Sequence, residues 1–469
     1  MKKIILTGFM LLSTALYAET SSPKTQETPV NIKALEAQLN SLQAQLNTLK
    51  KNDPHQNTLL SSLQSDSSQV IETDSKDPYV LMTKPLFAAM PSPSFVYAAL
   101  KAKDKLDAPV VVGGKIESDI QTWNGNAVPL ASPIRNNPIY QNGSTLALTN
   151  ATIITAANIG RYTTAIFSFS ADAPSYSVVN KRAVLILGNL KDSPFYFTIG
   201  RNHLPFGLFP GNSFLNNSLI TNTMRPGHLS QAVFSYAANG FNVDTGLYQN
   251  PGAQYYTYSN GVNSVATNNG STLNNYFGNI RYTKVIGDAT YLFGTGFLSD
   301  IRQTASGLGN MYTSPPGFTT TSGSQPFVGQ RNPVIDVNAV FTYKAANVFA
   351  EYTKTLEGAQ YYGVNTGQFS SWIVGTSYSP KLNIFNKTMN SYMQLNYSGT
   401  QNMKNVSQAL YGDTTQVPST LNNGIRRQAM GQFTLEVMHN IFMGPEIQYG
   451  WLYNDAKSWA ATFDITAVF

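Results

Sequence analysis

Two groups of charged residues in this chain fall in patterns that could do chemistry. The first is acidic. In the run VVVGGKIESDIQTW, Lys115, Glu117 and Asp119 alternate with Val112, Ile116 and Ile120, so an extended strand carries the charges on one face and the apolar residues on the other. The same parity places Asp244, Arg281, Asp336, Glu351, Glu436, Glu446 and Asp464 on the polar faces of their own segments. Carboxylates therefore outnumber basic residues on those faces by eight to two. Polar side chains inside a barrel wet the channel whatever their sign, but rings of carboxylate favour cations. The eight carboxylates are the expected cation path. The second group is basic. The run FYFTIGRNHLPFGLFPG opens a long loop holding Arg201, His203, Arg225 and His228, which with Arg281 form the expected constriction or anion-contact set.

Catalysis is not expected. His228-Leu229-Ser230 has the spacing of a serine-histidine pair but lies at a loop-strand junction, and His439 is followed by Asn440-Ile441 with no serine. No paired-histidine zinc motif, phosphate loop or nucleophile elbow occurs, and cysteine is absent. Neither a resident metal nor a cofactor is expected, and no aromatic-basic clustering points to nucleic acid.

The elements that must position these residues are strands. The closing run WAATFDITAVF puts Trp459, Ala461, Phe463, Ile465, Ala467 and Phe469 on one face and Ala460, Thr462, Asp464, Thr466 and Val468 on the other. Such a strand suits lipid on one side and water on the other, and its terminal aromatic resembles the insertion signal of outer-membrane barrels. At the other end, Met1-Lys2-Lys3, an apolar run from Ile4 to Leu16 and Tyr17-Ala18 make a secretory signal over residues 1–18. With it gone, the net charge falls from +6 to +4.

Composition agrees with export into a membrane. Charged residues are 12% of the chain, about half the share in soluble proteins, while 42% are apolar. Beyond the signal, no stretch has the eighteen or so consecutive apolar residues of a spanning helix. Sixteen strand candidates follow instead, at 110–122, 149–158, 162–171, 182–190, 194–201, 230–238, 240–249, 274–286, 288–299, 332–344, 345–355, 370–380, 389–400, 427–440, 442–454 and 457–469. Tight turns at Asn239-Gly240, Ile286-Gly287-Asp288 and Ala345-Ala346 alternate with long polar loops at 123–148, 202–229, 250–273, 300–331 and 401–426. An even strand count with long and short connections in alternation predicts an all-β transmembrane barrel over 109–469, its short turns and both termini in the periplasm.

Before the barrel, residues 19–51 are a polar leader and a heptad helix. Ile32, Leu35, Leu39, Leu42, Leu46 and Leu49 recur at alternating spacings of three and four, the seam of a short coiled coil or, as the alternative, of a single amphipathic helix on the barrel's periplasmic face. Residues 52–108 read as a periplasmic linker that becomes irregular after Asp77, with Ser92-Pro93 starting a short helix toward Lys105. That helix could tuck under the barrel or partly into it.

The signal, the Ile32–Leu49 heptad, the Val110–Trp123 first strand and a sixteen-stranded barrel ending at Phe469 together resemble the siderophore porin family similar to the legiobactin receptor. The resemblance spans nearly the whole mature chain, but on architecture rather than on an invariant motif. It implies iron uptake across the outer membrane without an energy-coupling protein, with iron or an iron-siderophore complex as cargo. The barrel itself implies lipid around the wall, and barrel and coiled coil together a homo-oligomer, a trimer, as the expected assembly. An acidic lumen would suit ferrous iron, whereas a carboxylate siderophore would be met by Arg201, Arg225 and Arg281. The alternatives are a general diffusion porin with no iron role and a structural envelope tether. Deleting residues 31–50 is expected to loosen oligomers on native gels while leaving the heat-modifiable migration of the folded barrel unchanged; oligomers of undiminished stability would exclude the coiled-coil role.

Overall fold

Alternation in the sequence becomes alternation of exposure in the computed structural model. Along the last strand, Ser458, Ala460, Thr462, Asp464, Thr466 and Val468 are buried, while Trp459, Phe463 and Ile465 are exposed. Along the first, Val112, Ile116 and Ile120 are 59%, 47% and 54% exposed, with Glu117, Asp119 and Gln121 buried between or beside them. A continuous exposed belt of Ile, Val, Phe and Leu would be unstable in water and is what hydrocarbon requires. The polar faces turn inward.

The structure describes residues 93–102, 109–125, 142–172, 178–210, 218–249, 255–259, 262–266, 273–304, 306, 308, 331–361, 364–384, 387–402, 425–453 and 455–469. The expected signal, leader and heptad helix lie outside them. Strands β1 (Val110–Gly125), β2 (Asn142–Ile159), β3 (Thr163–Asp172), β4 (Val178–Leu187), β5 (Phe195–His203), β6 (His228–Ala238) and β7 (Phe241–Gln249) are successive staves. After a separate hairpin, β8 (Tyr255–Ser259) with β9 (Val262–Ala266), the wall resumes. It continues through β10 (Asn275–Ile286), β11 (Ala289–Leu298), β12 (Val334–Tyr343), β13 (Ala346–Tyr361) and β14 (Val364–Tyr378). The final staves are β16 (Lys387–Gln401), β17 (Ile425–Met438), β18 (Ile441–Leu452) and β19 (Lys457–Val468), and the short β15 (Lys381–Ile384) pairs with β16 alone.

Sixteen strands thus close an antiparallel barrel, each expected strand being found and several running longer than expected. Closure matters because hydrocarbon offers no partner for an unpaired backbone N–H or C=O. The seam is β1 on β19, in register from Lys115 opposite Val468 to Gly125 opposite Ser458. Phe469 extends it, exchanging backbone hydrogen bonds with Gly114 at 2.7 and 3.0 Å. Its ring lies where a side chain at position 114 would project, so only glycine fits there. Aromatics collect on the outer face at both rims. Phe195 and Phe241 pack on Phe234, Tyr236 and Tyr282 near the short turns, while Trp372, Tyr397, Tyr449 and Trp451 form a chain of edge contacts toward the long loops.

Inside the stretch expected as a linker, Pro93–Ala102 form helix α1, with proline at the first position, where its missing N–H costs nothing. It is the helix expected from Ser92-Pro93, and it is interior. Val96, Tyr97, Ala98, Ala99, Leu100 and Ala102 are buried against Ile154, Ala156, Ile166, Val184, Ile186 and Tyr196 of the wall. A helix apolar on every side belongs inside a protein, and burial of Val96, Tyr97 and Leu100 contributes about 1.5–3 kcal/mol for each side chain. Ser94 Oγ accepts a hydrogen bond from Asn202 Nδ2 at 3.2 Å, and Lys101 Nζ donates to Gly160 O, Thr163 O and Thr164 Oγ1 at 3.2, 2.9 and 3.1 Å. Burial lowers the Lys101 pKa from its ordinary value.

The two faces of the wall make a direct prediction. Ile116→Arg, on the outer face near mid-strand, is expected to cost about 2–4 kcal/mol in urea folding titrations into lipid vesicles, whereas an arginine at an outer-face rim position such as Thr122 costs about 1 kcal/mol or less. Equal effects at the two positions would contradict the assigned belt.

Candidate functional site in the lumen

The seam brings the strongest cluster together. Asp119 of β1 stands directly opposite Asp464 of β19, two residues beyond Glu117 on the same inward face. Carboxylate oxygens of Glu117, Asp119 and Asp464 all lie within 4.8 Å of one another, and each side chain is buried. Lys115 forms an ion pair with Glu117. The pairing of β1 with β2 slips between Glu117 and Ser118, leaving Thr149 as the extra residue of a bulge. Bulges re-aim a side chain. Here the Thr149 hydroxyl donates to Asp119 Oδ2 and reaches Glu117 Oε1 at 3.3 Å, while Thr466 Oγ1 lies 3.0 and 3.2 Å from the two oxygens of Asp464.

Of the other inward carboxylates, Asp244 is paired with a base, whereas Asp336 and Glu351 share a side-chain hydrogen bond with each other. Asp244 accepts from Arg281 Nη2 at 3.2 Å and from Ser235 Oγ at 2.6 Å, so the expected basic residue Arg281 closes a buried ion pair. Asp336 accepts from Thr353 Oγ1 at 2.8 Å and Asn338 Nδ2 at 2.5 Å. Glu446 is buried on β18 opposite Gln432 and Thr462. Glu436 is different. It accepts from Asn390 Nδ2 at 2.6 Å and from the backbone N–H of Asn440 at 3.1 Å, which makes it a cap on the β17–β18 turn rather than a group along a passage. Glu436 keeps its register opposite Phe442, and a bulge follows it before Met438 pairs with Ile441.

Glu351 holds the third loop. Its two oxygens accept from the backbone N–H groups of Leu208 and Phe209 at 2.8 and 2.6 Å, fixing the LPFGLFP run across the lumen against β13. Gly207 takes φ +66° and Phe209 φ +51°, a turn that aims consecutive amides at one carboxylate. A Cβ at position 207 would sit 2.7 Å from Glu351 Oε1. Beyond it, helix α2 (Leu219–Met224) touches β13, β14, β16 and β17, and Leu219 N donates to Ser398 Oγ at 3.3 Å. Leu204, Phe206, Phe209, Ile220 and Met224 join Leu229, Tyr248, Phe277, Val334, Phe349 and Ile373 in one apolar core.

That core corrects the expected basic constriction. The loop does fold inward, but its described interior is apolar. β5 runs on to His203, so Arg201 and His203 obey strand parity: Tyr196, Thr198 and Asn202 are buried on the inner face and Arg201 is exposed on the outer one. His203 pairs with His228, the first residue of β6, their rings 3.8 Å apart and His203 Nδ1 2.9 Å from Pro226 O. Both histidines are rim residues of the wall. Arg225 alone stays with the loop, where burial and then Arg182 push its pKa down to about 10 against the opposing pull of Glu351.

Two features escape a reading that expects every inner face to be polar. The seat of α1 is visible in sequence only as strands apolar on both parities: Ile153 with Ile154, Ile166 with Phe167, and Val184 through Leu187. The loop's role is signalled by LPFGLFP, an apolar run within a loop otherwise rich in polar residues.

Comparison with known families finds a match over residues 85–277 to a family described as a protein of unknown function (DUF3573). No curated protein matches the chain. Among solved structures, the chain is similar to the outer membrane channel DcaP of Acinetobacter baumannii, at 11% identity over 77% of this chain and 97% of that one, with a TM-score of 0.49. It is similar also to Pseudomonas putida OprB, at 12% identity, 78% and 96% coverage and a TM-score of 0.47. An anion-selective porin from Comamonas acidovorans aligns at 10% identity, 77% and 99% coverage and a TM-score of 0.45.

Removing the loop's anchor should release it. Glu351→Ala leaves two buried amides without an acceptor, a loss of about 1.5–3 kcal/mol, and Gly207→Ala should produce part of the same effect by displacing the carboxylate. Faster protease cleavage within residues 204–227 of the folded barrel is the expected readout. Unchanged cleavage in both variants would show that apolar packing alone holds the loop.

Proposed function

We propose that this chain is an outer-membrane, porin-type channel for iron, carried either as ferrous ion or within a siderophore complex. The observation that carries the reading is the seam cluster: three buried carboxylates, from two strands that converge only when the barrel closes, face one ammonium group. Elsewhere in the described lumen, Asp244 has Arg281, while Asp336 and Glu351 share a side-chain hydrogen bond and are held by Thr353, Asn338 and two loop amides. The seam is where three carboxylates gather around a lysine. Hard oxygen donors so arranged attract a divalent cation, and Lys115 offers an internal cation that a passing ion could replace.

The sequence resemblance to siderophore porins supports the same cargo class, and the heptad over Ile32–Leu49 supports assembly as a homo-oligomer, a trimer in this reading. The exposed apolar belt supports a lipid environment.

The decisive experiment is uptake of labelled ferrous iron and of siderophore-bound iron by cells lacking the protein. A severalfold loss of either, restored by the native chain and not by Glu117→Gln/Asp119→Asn/Asp464→Asn, is the expected result. Normal uptake of both forms, with unrelated small solutes entering more slowly, would instead establish a general diffusion porin. In planar bilayers the same triple variant should lose most of the cation preference of the native channel; anion preference in the native protein would rule out the acidic route.

A further inference from the structure

The outer face of the wall is not uniform. On β17 the outward residues run Arg427, Ala429, Gly431 and Phe433, and the two in the middle have almost no side chain. Their neighbours do. Leu395 of β16 and Ile447 of β18 pair on either side of Gly431 and are 65% and 61% exposed. Between them lies an apolar furrow of about 750 Å³, floored by Ala429 and Gly431 and stopped toward the short turns by Phe433 and Pro445. Sites for small ligands run from roughly 300 to 1,000 Å³. A barrel wall is convex, so a second barrel can touch the ridges of such a furrow without filling it. A linear apolar chain can fill it.

Strand register stacks three kinds of outward residue above one another. Nearest the long loops, Arg427 of β17, Trp451 of β18 and Lys457 of β19 share one row of paired residues. A bulge between Ile425 and Arg427 leaves Arg426 exposed beside them. Among the described residues, none of these three cations has an ion-pair partner. The next row holds Tyr397, Ala429 and Tyr449, and the third holds Leu395, Gly431 and Ile447. Tyr397 and Trp451 meet across β17 with ring centroids 6.1 Å apart, an aromatic bar between the cations and the furrow. Cation, aromatic and apolar is the order in which one lipid presents its headgroup, its interfacial region and its chain. The depth agrees as well. Six residues separate Arg427 from Phe433, about 20 Å of strand, which at a tilt of about 45° descends about 14 Å, against about 15 Å for half of the hydrocarbon core.

We propose that this furrow seats an acyl chain of a phosphorylated lipid of the outer leaflet, with its phosphate held by Arg426, Arg427 and Lys457. The inference rests on the outer-membrane reading, which puts the long loops outside, and not on the cargo. Guanidinium forks match phosphate oxygens and form the stronger, charge-assisted kind of hydrogen bond. Charge decides between lipid and a second copy of the chain as the occupant. A second copy would bury these cations against an apolar wall, at the desolvation cost of unpaired charge, whereas a phosphate neutralises them.

Native mass spectrometry of the refolded barrel with purified lipid A, an acylated sugar carrying phosphates, tests this directly. Retention of lipid A by the native barrel is expected, reduced severalfold by Arg426→Glu/Arg427→Glu and, separately, by Gly431→Leu, which fills the furrow. A Cβ added at position 431 meets first the end of the Leu395 side chain, at 3.1 Å, so the folded barrel should keep its heat-modifiable migration in both variants. Lipid A stripped of its phosphates should be retained as weakly as lipid A is by the charge-reversed variant. Equal retention of the stripped and intact lipid, or undiminished retention in both variants, would overturn the proposal. Oligomers loosened by both variants while lipid retention stays unchanged would overturn it too, and assign this face to contact between copies. Neither iron nor transport enters the measurement, so failure of the iron reading leaves this result standing, and the reverse.

Discussion

The pairing of β1 with β19 is the contact on which everything else depends. Hydrocarbon supplies no hydrogen-bond partners, so fifteen perfect strand pairings would still leave two exposed edges, and only the sixteenth removes them. Phe469 locks that pairing by exchanging hydrogen bonds with Gly114 and laying its ring over it. The same pairing fixes which inward residues meet. Asp119 and Asp464 are neighbours because the register is what it is, and a slip of one residue would turn either strand's carboxylates toward lipid. Closure of the fold and assembly of the acidic cluster are therefore a single event.

Once closed, a barrel of this size must decide what fills it. Part of this lumen is filled as a soluble protein fills its core. Phe206, Phe209, Ile220 and Met224 from the third loop pack against wall residues that turn apolar to meet them, and α1 does the same on the opposite arc. Inward apolar residues on β2–β4 have no use in a water-filled pore. They make sense as a seat. The charged residues are then divided by what lies beside them: Glu351, paired with Asp336, anchors a loop, Asp244 balances an arginine, Glu436 caps a turn, and the seam trio gathers around a lysine.

Much of the fold was legible because strand parity is a local property enforced by lipid. All sixteen strands could be placed from alternation, and the long and short connections told one rim from the other. Parity also placed Glu117, Asp119, Asp244, Arg281, Asp336, Glu351, Glu446 and Asp464 on inner faces, where the structure has them. It failed where a local rule changes within a residue or two. Arg201 and His203 read as loop, but β5 runs through both; Glu436 keeps its inward place opposite Phe442, and only its partners at the β17–β18 turn escape parity.

By itself, then, the sequence determined the class of fold, the lipid-facing belt and which side of each strand carries charge, since all of these follow from a period of two read along one strand. It determined that a short helix begins at Pro93, because the start signal is local. Which carboxylates come together, which are neutralised, and that α1 lies within the barrel were decided only by tertiary structure. Those outcomes depend on shear, closure and the contact of residues far apart in the chain, such as Gly114 and Phe469. No period along a single strand encodes a neighbour contributed by another.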